Sequence, residues 1–249
     1  MRQLADGVWR LSQRLGPMIN VYLVGDVLID AGRRQDRRRI LDQIDGRPLS
    51  MLALTHAHAD HQGSAHAVCE ARRVPLACHA DDVDGMEGRR PISGTSAIGR
   101  LVTRSWAGPP HRVDRVLTEG DEVAGFRVVH APGHAPGEVI YFRESDRVAI
   151  CGDVIRNISY LTARPKLLEP PAAFNDDSRQ NRESIRRLAQ LRPSLILPGH
   201  GDAVRDMHAF ERFVAALPSE GERNVEASDT RVAAGDCARG GEGKRAALR

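Results

Sequence analysis

The sequence predicts a mixed α/β fold with a partly parallel sheet. Short apolar runs bounded by Gly, Pro, Asn or Asp alternate with segments of helical period, and this alternation occurs in both halves of the chain. Histidines and aspartates also stand directly after several of those runs, at the strand exits. At 249 residues the chain has ample material for one domain with a buried core.

The elements follow in order. Val8–Leu11, Asn20–Val24 and Val27–Asp30 read as three strands of a meander, punctuated by Gly16-Pro17 and Gly25-Asp26. Arg37–Ile44 carries Ile40, Leu41 and Ile44 at helical spacing, with its arginines on a solvated face. Met51–Leu54 is an apolar run that reads as a buried strand. Gly63–Arg72 reads as a helix and Val74–Cys78 as another strand. From Asp84 to Arg112 repeated Gly and Pro dissolve the pattern, and a loop of that length reads as a lid or binding loop, or as disorder without a role. A second strand-rich block spans 115–150, with Arg115–Leu117, Asp121–Val123, Phe126–His130, Val139–Phe142 and Val148–Ile150. Asp177–Leu191 is an amphipathic helix, Leu195–Leu197 a strand and Met207–Leu217 a last helix. From 218 onward charged residues, Gly and Ala follow without period. The expected organisation is a catalytic domain over 1–217 and a disordered tail over 218–249.

Composition narrows the function. Hydrophobic content of 41% and charged content of 28% are those of a soluble globular chain. A formal charge of +3 is too small to argue by itself for a nucleic acid or a membrane surface. Cys69, Cys78, Cys151 and Cys237 form no closely spaced pair, so free thiols in a reducing compartment are expected. The first residues lack the apolar core of a signal peptide and no stretch is long enough to span a bilayer, so the expected location is the cytoplasm.

The chemistry concentrates in Thr55-His56-Ala57-His58-Ala59-Asp60-His61, which follows the strand at 51–54. In an extended segment residues two apart share a face, so His56 and His58 can grip one ion together. A turn at Asp60 and His61 could aim both at a second ion. The competing reading, a polar turn with solvated histidines, carries little weight against three imidazoles in one turn. Further along, His134 and His200 are each held in Gly/Pro turns, and Asp153 stands at a strand exit. Asp30, at the end of a strand, could hydrogen-bond a metal-bound histidine or cap the following helix.

His56-x-His58-x-Asp60-His61, Pro132-Gly133-His134, Gly152-Asp153 and Pro198-Gly199-His200-Gly201 together resemble the metallo-β-lactamase superfamily, over residues 1 to about 217. The resemblance implies a four-layer αββα sandwich with two mixed sheets and a metal site at one edge. It implies one metal on His56, His58 and His134, and a second on Asp60, His61 and His200. Asp153 would bridge both, and Asp60 and Asp153 would be the catalytic carboxylates. The donor chemistry is consistent with that partition, since three imidazoles and a shared carboxylate leave the open position that catalytic zinc needs. Two divalent ions with Asp60, Asp153 and a shared hydroxide leave about one net positive charge, suited to an oxyanion.

The cofactors expected are therefore two divalent ions, zinc first and iron as the alternative. The expected reaction is hydrolysis of an ester, lactone or thioester of a small metabolite. Within the resemblance, Asp153 in place of the usual cysteine disfavours antibiotic hydrolysis, and His58 disfavours flavodiiron chemistry. Glyoxalase II and quorum-quenching lactonases share the ligand set. The chain has no clear counterpart of the former's C-terminal helical region, and Arg156 lies near where the latter often place a tyrosine. Tyr160 is the nearest tyrosine; as an oxyanion donor it competes with the weightier reading of a packed aromatic. The apolar segment Ile155–Phe174 and Met18 are expected around the substrate. The runner-up is an iron persulfide dioxygenase using His56, His134 and Asp153. A phosphodiesterase or nuclease ranks third, because the charge is modest and a basic, aromatic-rich segment is missing. The oligomeric state is left open, a homodimer included.

Overall fold

The computed structural model describes residues 1–12, 17–92 and 103–218. Met1–Leu217 forms one compact unit. The expected tail lies outside the described residues except for Pro218, as does the stretch 93–102 of the long loop.

Two mixed sheets build the unit. The first contains β1 (Arg2–Ala5), β2 (Val8–Arg10), β3 (Tyr22–Val24), β4 (Val27–Ile29), β5 (Met51–Ala53), β6 (Leu76–His79) and β7 (Arg115–Leu117), in sequence order. Its first four strands are antiparallel hairpin neighbours. β4 to β7 are parallel, because α1 (Arg37–Ile44) and α3 (Ala65–Arg72) provide crossovers. The second sheet runs β14-β11-β10-β9-β8, from Leu195–Pro198, Val148–Gly152, Val139–Arg143, Phe126–His130 and Glu122–Val123. Only β11 and β14 pair in parallel there, joined through α6 (Ser178–Gln190). A short ribbon pairs β12 (Arg156–Asn157) with β13 (Leu167–Leu168), and α7 (Met207–Ala215) closes the described chain.

Three apolar layers show how the sheets stack. Tyr22, Ile29, Ala53 and Leu117 of the first sheet meet Phe126, Val128, Tyr141, Ile150 and Leu197 of the second. On the other face of the first sheet, Leu28, Leu52 and Leu76 pack on Ile40, Ile44 and Val68 of α1 and α3. On the other face of the second, Ile140, Ala149 and Ile196 pack on Ile185, Leu188 and Phe210 of α6 and α7. Alternate strand residues therefore serve opposite layers, the result of a period of two in sheets buried on both faces. The order is helix, sheet, sheet, helix: the four-layer sandwich that the resemblance implies.

The elements differ from the sequence reading in four places. Arg2–Ala5 is a strand although its alternation is mostly polar, because pairing with β2 recruits an edge. The expected helix at 63–72 is preceded by a separate turn of helix, α2 (Ala59–Gln62), so Asp60 and His61 lie on a helix and not in a bare turn. Arg115–Leu117 joins the first sheet beside β6, not the second block that it adjoins in sequence. The long loop also contains helical turns, α4 (Val83–Met86) and α5 (103–106).

Candidate metal centre

The exits of β5, β9, β11 and β14 converge, and each delivers part of one polar cluster. His56, His58, Asp60 and His61 follow β5; His134 follows β9; Asp153 directly follows β11; His200 follows β14. The structure gathers their donor atoms into a group of His56, His58 and His134 and a group of Asp60, His61 and His200, with Asp153 against both. Asp153 Oδ2 lies 3.4 Å from His134 Nε2 and 3.0 Å from His200 Nε2, while Oδ1 lies 3.4 Å from His61 Nε2. Asp60 Oδ2 is 3.3 Å from His200 Nε2, and His58 Nδ1 is 2.9 Å from His134 Nε2. All seven residues picked from the sequence thus meet in one place.

The orientation of the imidazoles is set from behind. His61 Nδ1–H donates to Asp30 Oδ2 at 2.9 Å, and the Thr55 backbone N–H donates to the same carboxylate at 2.8 Å. Of the two roles open to Asp30, the structure supports the histidine partner. His134 Nδ1–H donates to Asn175 Oδ1 at 2.8 Å. His200 Nδ1–H donates to the carbonyl of Met18, so Met18 bears on the site through its backbone. The His200 turn is itself pinned, because Tyr22 Oη donates to the Pro198 carbonyl at 2.7 Å and Asn20 Nδ2 to those of Pro198 and Gly201, both at 2.8 Å. Behind His56 is Glu138, fully buried, with Oε2 3.1 Å from His56 Nδ1. Its Oε1 accepts the backbone N–H of Asp153 at 3.0 Å. Such outer partners fix which ring nitrogen is free to bind a metal.

The electrostatics call for a cation. Burial, then the neighbouring imidazoles, hold His56 far below the ordinary histidine pKa; burial and His134 bring His58 down to about 3. Both rings are therefore neutral with a lone pair to offer. Burial opposes ionisation of Asp60 and Asp153, but His200 and His61 outweigh it and both carboxyls lie below their usual range. Burial works against charge on His61 and His200 too, yet Asp153 and the other carboxylates push both well above it. His56 Nε2, His61 Nε2 and Asp153 Oδ1 are buried without a hydrogen-bond partner. Orphaned buried donors and acceptors of this type cost free energy unless something binds them. The neutral rings of His56 and His58, ionised carboxylates and orphaned atoms converging on one point are a donor set that fits divalent metal, which would take the place of the protons on His61 and His200.

The metallo-beta-lactamase superfamily matches residues 15–200, and this span holds every one of those donors. The chain belongs to that superfamily. Among its relatives in the superfamily is the probable metallo-hydrolase YflN of Bacillus subtilis, 30% identical over 225 residues, covering 80% of this chain and 85% of that protein. A second, the probable metallo-hydrolase YybB of the same organism, is 27% identical over 214 residues, covering 82% and 92%. Among solved structures, TTHA1623 in a di-iron-bound form aligns with a TM-score of 0.63 at 29% identity, over 79% of this chain and 94% of that one. The BLEG-1 B3 metallo-beta-lactamase aligns with a TM-score of 0.64 at 26% identity, over 83% and 99%.

The surroundings depart from the sequence reading. Tyr160 is not a packed aromatic: it is 46% exposed at the rim, its ring 5.9 Å from that of His200, with the Arg156 guanidinium 4.5 Å above it. Ile158 is buried, but Leu161 is 94% exposed, so the apolar segment after Asp153 is only partly covered. Cys151 is a buried free thiol in β11. Glu138 and Asn175 were missed. Glu138 reads as the residue before a strand, and Asn175 approaches His134 from 41 residues away, so neither carries a local signal. No helix among the described residues is long and apolar enough to cross a membrane.

Proposed function

We propose that this chain is a dinuclear metal-dependent hydrolase, loaded with zinc, that cleaves an ester, lactone or thioester of a small metabolite. The observation that carries this reading is Asp153, which touches both groups: its Oδ2 lies 3.4 Å from His134 Nε2 and 3.0 Å from His200 Nε2, and its Oδ1 lies 3.4 Å from His61 Nε2. His56, His58 and His134 would hold one ion, Asp60, His61 and His200 the other, and Asp153 both. When bound, such ions lower the pKa of water to roughly 7 and polarise an acyl carbonyl, which makes a nucleophilic serine unnecessary.

The chain's own residues supply the rest. Asp30, Glu138, Asn175 and the Met18 carbonyl orient the His61, His56, His134 and His200 rings, which limits reorganisation at the moment of reaction. Asp60 and Asp153 stay ionised and cap the positive charge of the site. Partial burial, together with the Asp153 and Asp60 charges, raises the Tyr160 phenol, which remains a protonated donor at the rim. Arg156, stacked on that ring, adds a cation there, so an acyl substrate with a polar or anionic end fits this entrance.

Iron is the competing metal, since the similar TTHA1623 structure is in a di-iron-bound form. Elemental analysis of freshly purified, untagged protein tests both points. Near two zinc ions per chain, with chelator-sensitive and zinc-restored turnover of an ester, lactone or thioester panel, is the expected result. About one iron per chain, with oxygen consumed in the presence of a persulfide, would replace this reading by the dioxygenase one.

A further inference from the structure

We propose that His66, Glu70 and His111 form a third cation site, apart from the centre above, which takes a borderline divalent ion such as Zn²⁺. His66 and Glu70 lie four residues apart on α3, hence on one face of the helix. His111 comes from the segment between α5 and β7. Its Nδ1 stands 3.0 Å from His66 Nδ1, and one donor atom from each of the three side chains lies within 4.8 Å of the others. Two imidazole nitrogens bound to one tetrahedral zinc at 2.0–2.1 Å would be about 3.3 Å apart. The pair is therefore close to ligand spacing without any movement of backbone.

Chemistry favours an ion over a simple contact. Two neutral imidazoles facing each other through Nδ1 can share only one proton, so one ring must donate and the other accept. A metal uses both lone pairs. Burial, and then the nearness of His66, hold His111 below the usual histidine pKa, so its ring offers a lone pair at neutral pH. Glu70 is exposed and His66 and His111 are half-buried, so solvent and ions can reach the site and the carboxylate can swing in.

A second cluster with similar residue types, His79, Asp81 and His130, makes a useful contrast. There His130 Nε2–H is committed to the Pro136 carbonyl at 2.8 Å, His79 Nδ1 accepts the Asp81 backbone N–H at 3.3 Å, and the two rings stack at 3.9 Å. Those nitrogens are already used. At His66 and His111 the facing nitrogens have, among the described residues, only each other.

An ion here would tie the segment carrying His111 to the helix that follows Asp60 and His61. That segment already lies on this helix pair. A Cβ built on Gly108 would clash with the Gly63 carbonyl at the junction of α2 and α3, and on its other side the segment is held by α4, whose Met86 carbonyl accepts the His111 N–H at 3.0 Å.

The test uses the full chain, stripped by chelator and titrated with Zn²⁺ against a chromophoric competitor. The wild type should bind one weaker equivalent beyond those of the principal centre. His111→Ala and His66→Ala should each lose that equivalent and keep the tighter ones. Asp153→Ala, which removes a ligand of the principal centre, should keep the weaker one. Equal stoichiometry in wild type and whichever of the two histidine variants retains its tighter equivalents would overturn the proposal, as would disappearance of the weaker equivalent in Asp153→Ala.

Discussion

Replacing Glu138 by Gln tests how the first group of ligands is oriented. The carboxylate accepts the Asp153 N–H at Oε1, while Oε2, buried without a hydrogen-bond partner, lies 3.1 Å from His56 Nδ1, a nitrogen that Thr55 Oγ1 also approaches at 3.1 Å. A glutamine has the same shape but one oxygen. Whichever donor that oxygen keeps, the amide NH₂ is turned against the other. If His56 is the loser, its Nδ1 must give up its proton to accept from the amide, and the Nε2 that should bind metal becomes protonated. Leaving one such buried group facing the wrong partner costs about 1–3 kcal/mol. That corresponds to a weakening of metal affinity of about 10- to 100-fold, the range typical of such outer partners.

The metal-free chain should respond in the opposite way. Burial, then the Asp153 charge, push the Glu138 carboxyl well above its ordinary pKa, so a charge at this position is costly without a cation. A neutral glutamine removes that cost, and the stripped variant should unfold at the same temperature as wild type or higher. Zinc competition and thermal unfolding with and without metal measure the two effects separately. Wild-type metal affinity, or unchanged affinity with a less stable stripped chain, would refute the reasoning and reduce Glu138 to a packing role.

Other perturbations have equally definite outcomes. Asp153→Ala should leave one metal or none per chain and cut turnover by at least about 100-fold, read by elemental analysis and steady-state rates. Full metal content with full activity would overturn the assignment. Gly152→Ala places a Cβ 2.1 Å from Glu138 Oε1 and 2.7 Å from Thr55 at φ +48°, where an L side chain is strained. Overpacking and backbone strain together should cost about 2–4 kcal/mol, a fall in Tm of roughly 5–15 °C by calorimetry. Asp36 is 7% exposed and its carboxylate lies 3.1 Å from both the Arg33 and Arg39 guanidiniums. Burial opposes its charge, but Arg33 prevails and the carboxyl lies below its usual pKa. Its contribution is complete above the ordinary carboxylate range and disappears as pH falls through the lowered value. Asp36→Asn should therefore cost about 1–3 kcal/mol near neutrality, and that gap should close in acid denaturant titrations.

The donors were legible because each chain segment bears its own signal. Four of the seven stand within six residues of one another after an apolar run, and His134, Asp153 and His200 each sit in a Gly-bearing turn at a strand exit. The helices α1 and α6 were legible for a similar reason, since their apolar residues repeat at 3.6 with little interruption. What the chain order hides is pairing across distance. Nothing near Arg115–Leu117 says which sheet it joins, and three residues carry too little pattern to decide. Glu138 belongs to His56 across 82 positions, and His66 meets His111 across 45. Their roles arise from tertiary approach, to which periodicity is blind. Tyr160 was misjudged for the reason that applies to most lone aromatics: its apolar neighbours suggest burial, but Leu161 beside it projects into solvent.

The convergence of strand exits has one more consequence. His56, His58, Asp60 and His61 hang from the first sheet, while His134, Asp153 and His200 hang from the second. An ion held between them is thus a rivet through the seam of the sandwich, and whatever free energy it gains on binding is added to the closure of the two sheets on each other. Starving the chain of metal would do more than silence a reaction. It would let the two halves part more often along that seam, exposing the apolar layer between them to proteases and to neighbouring chains.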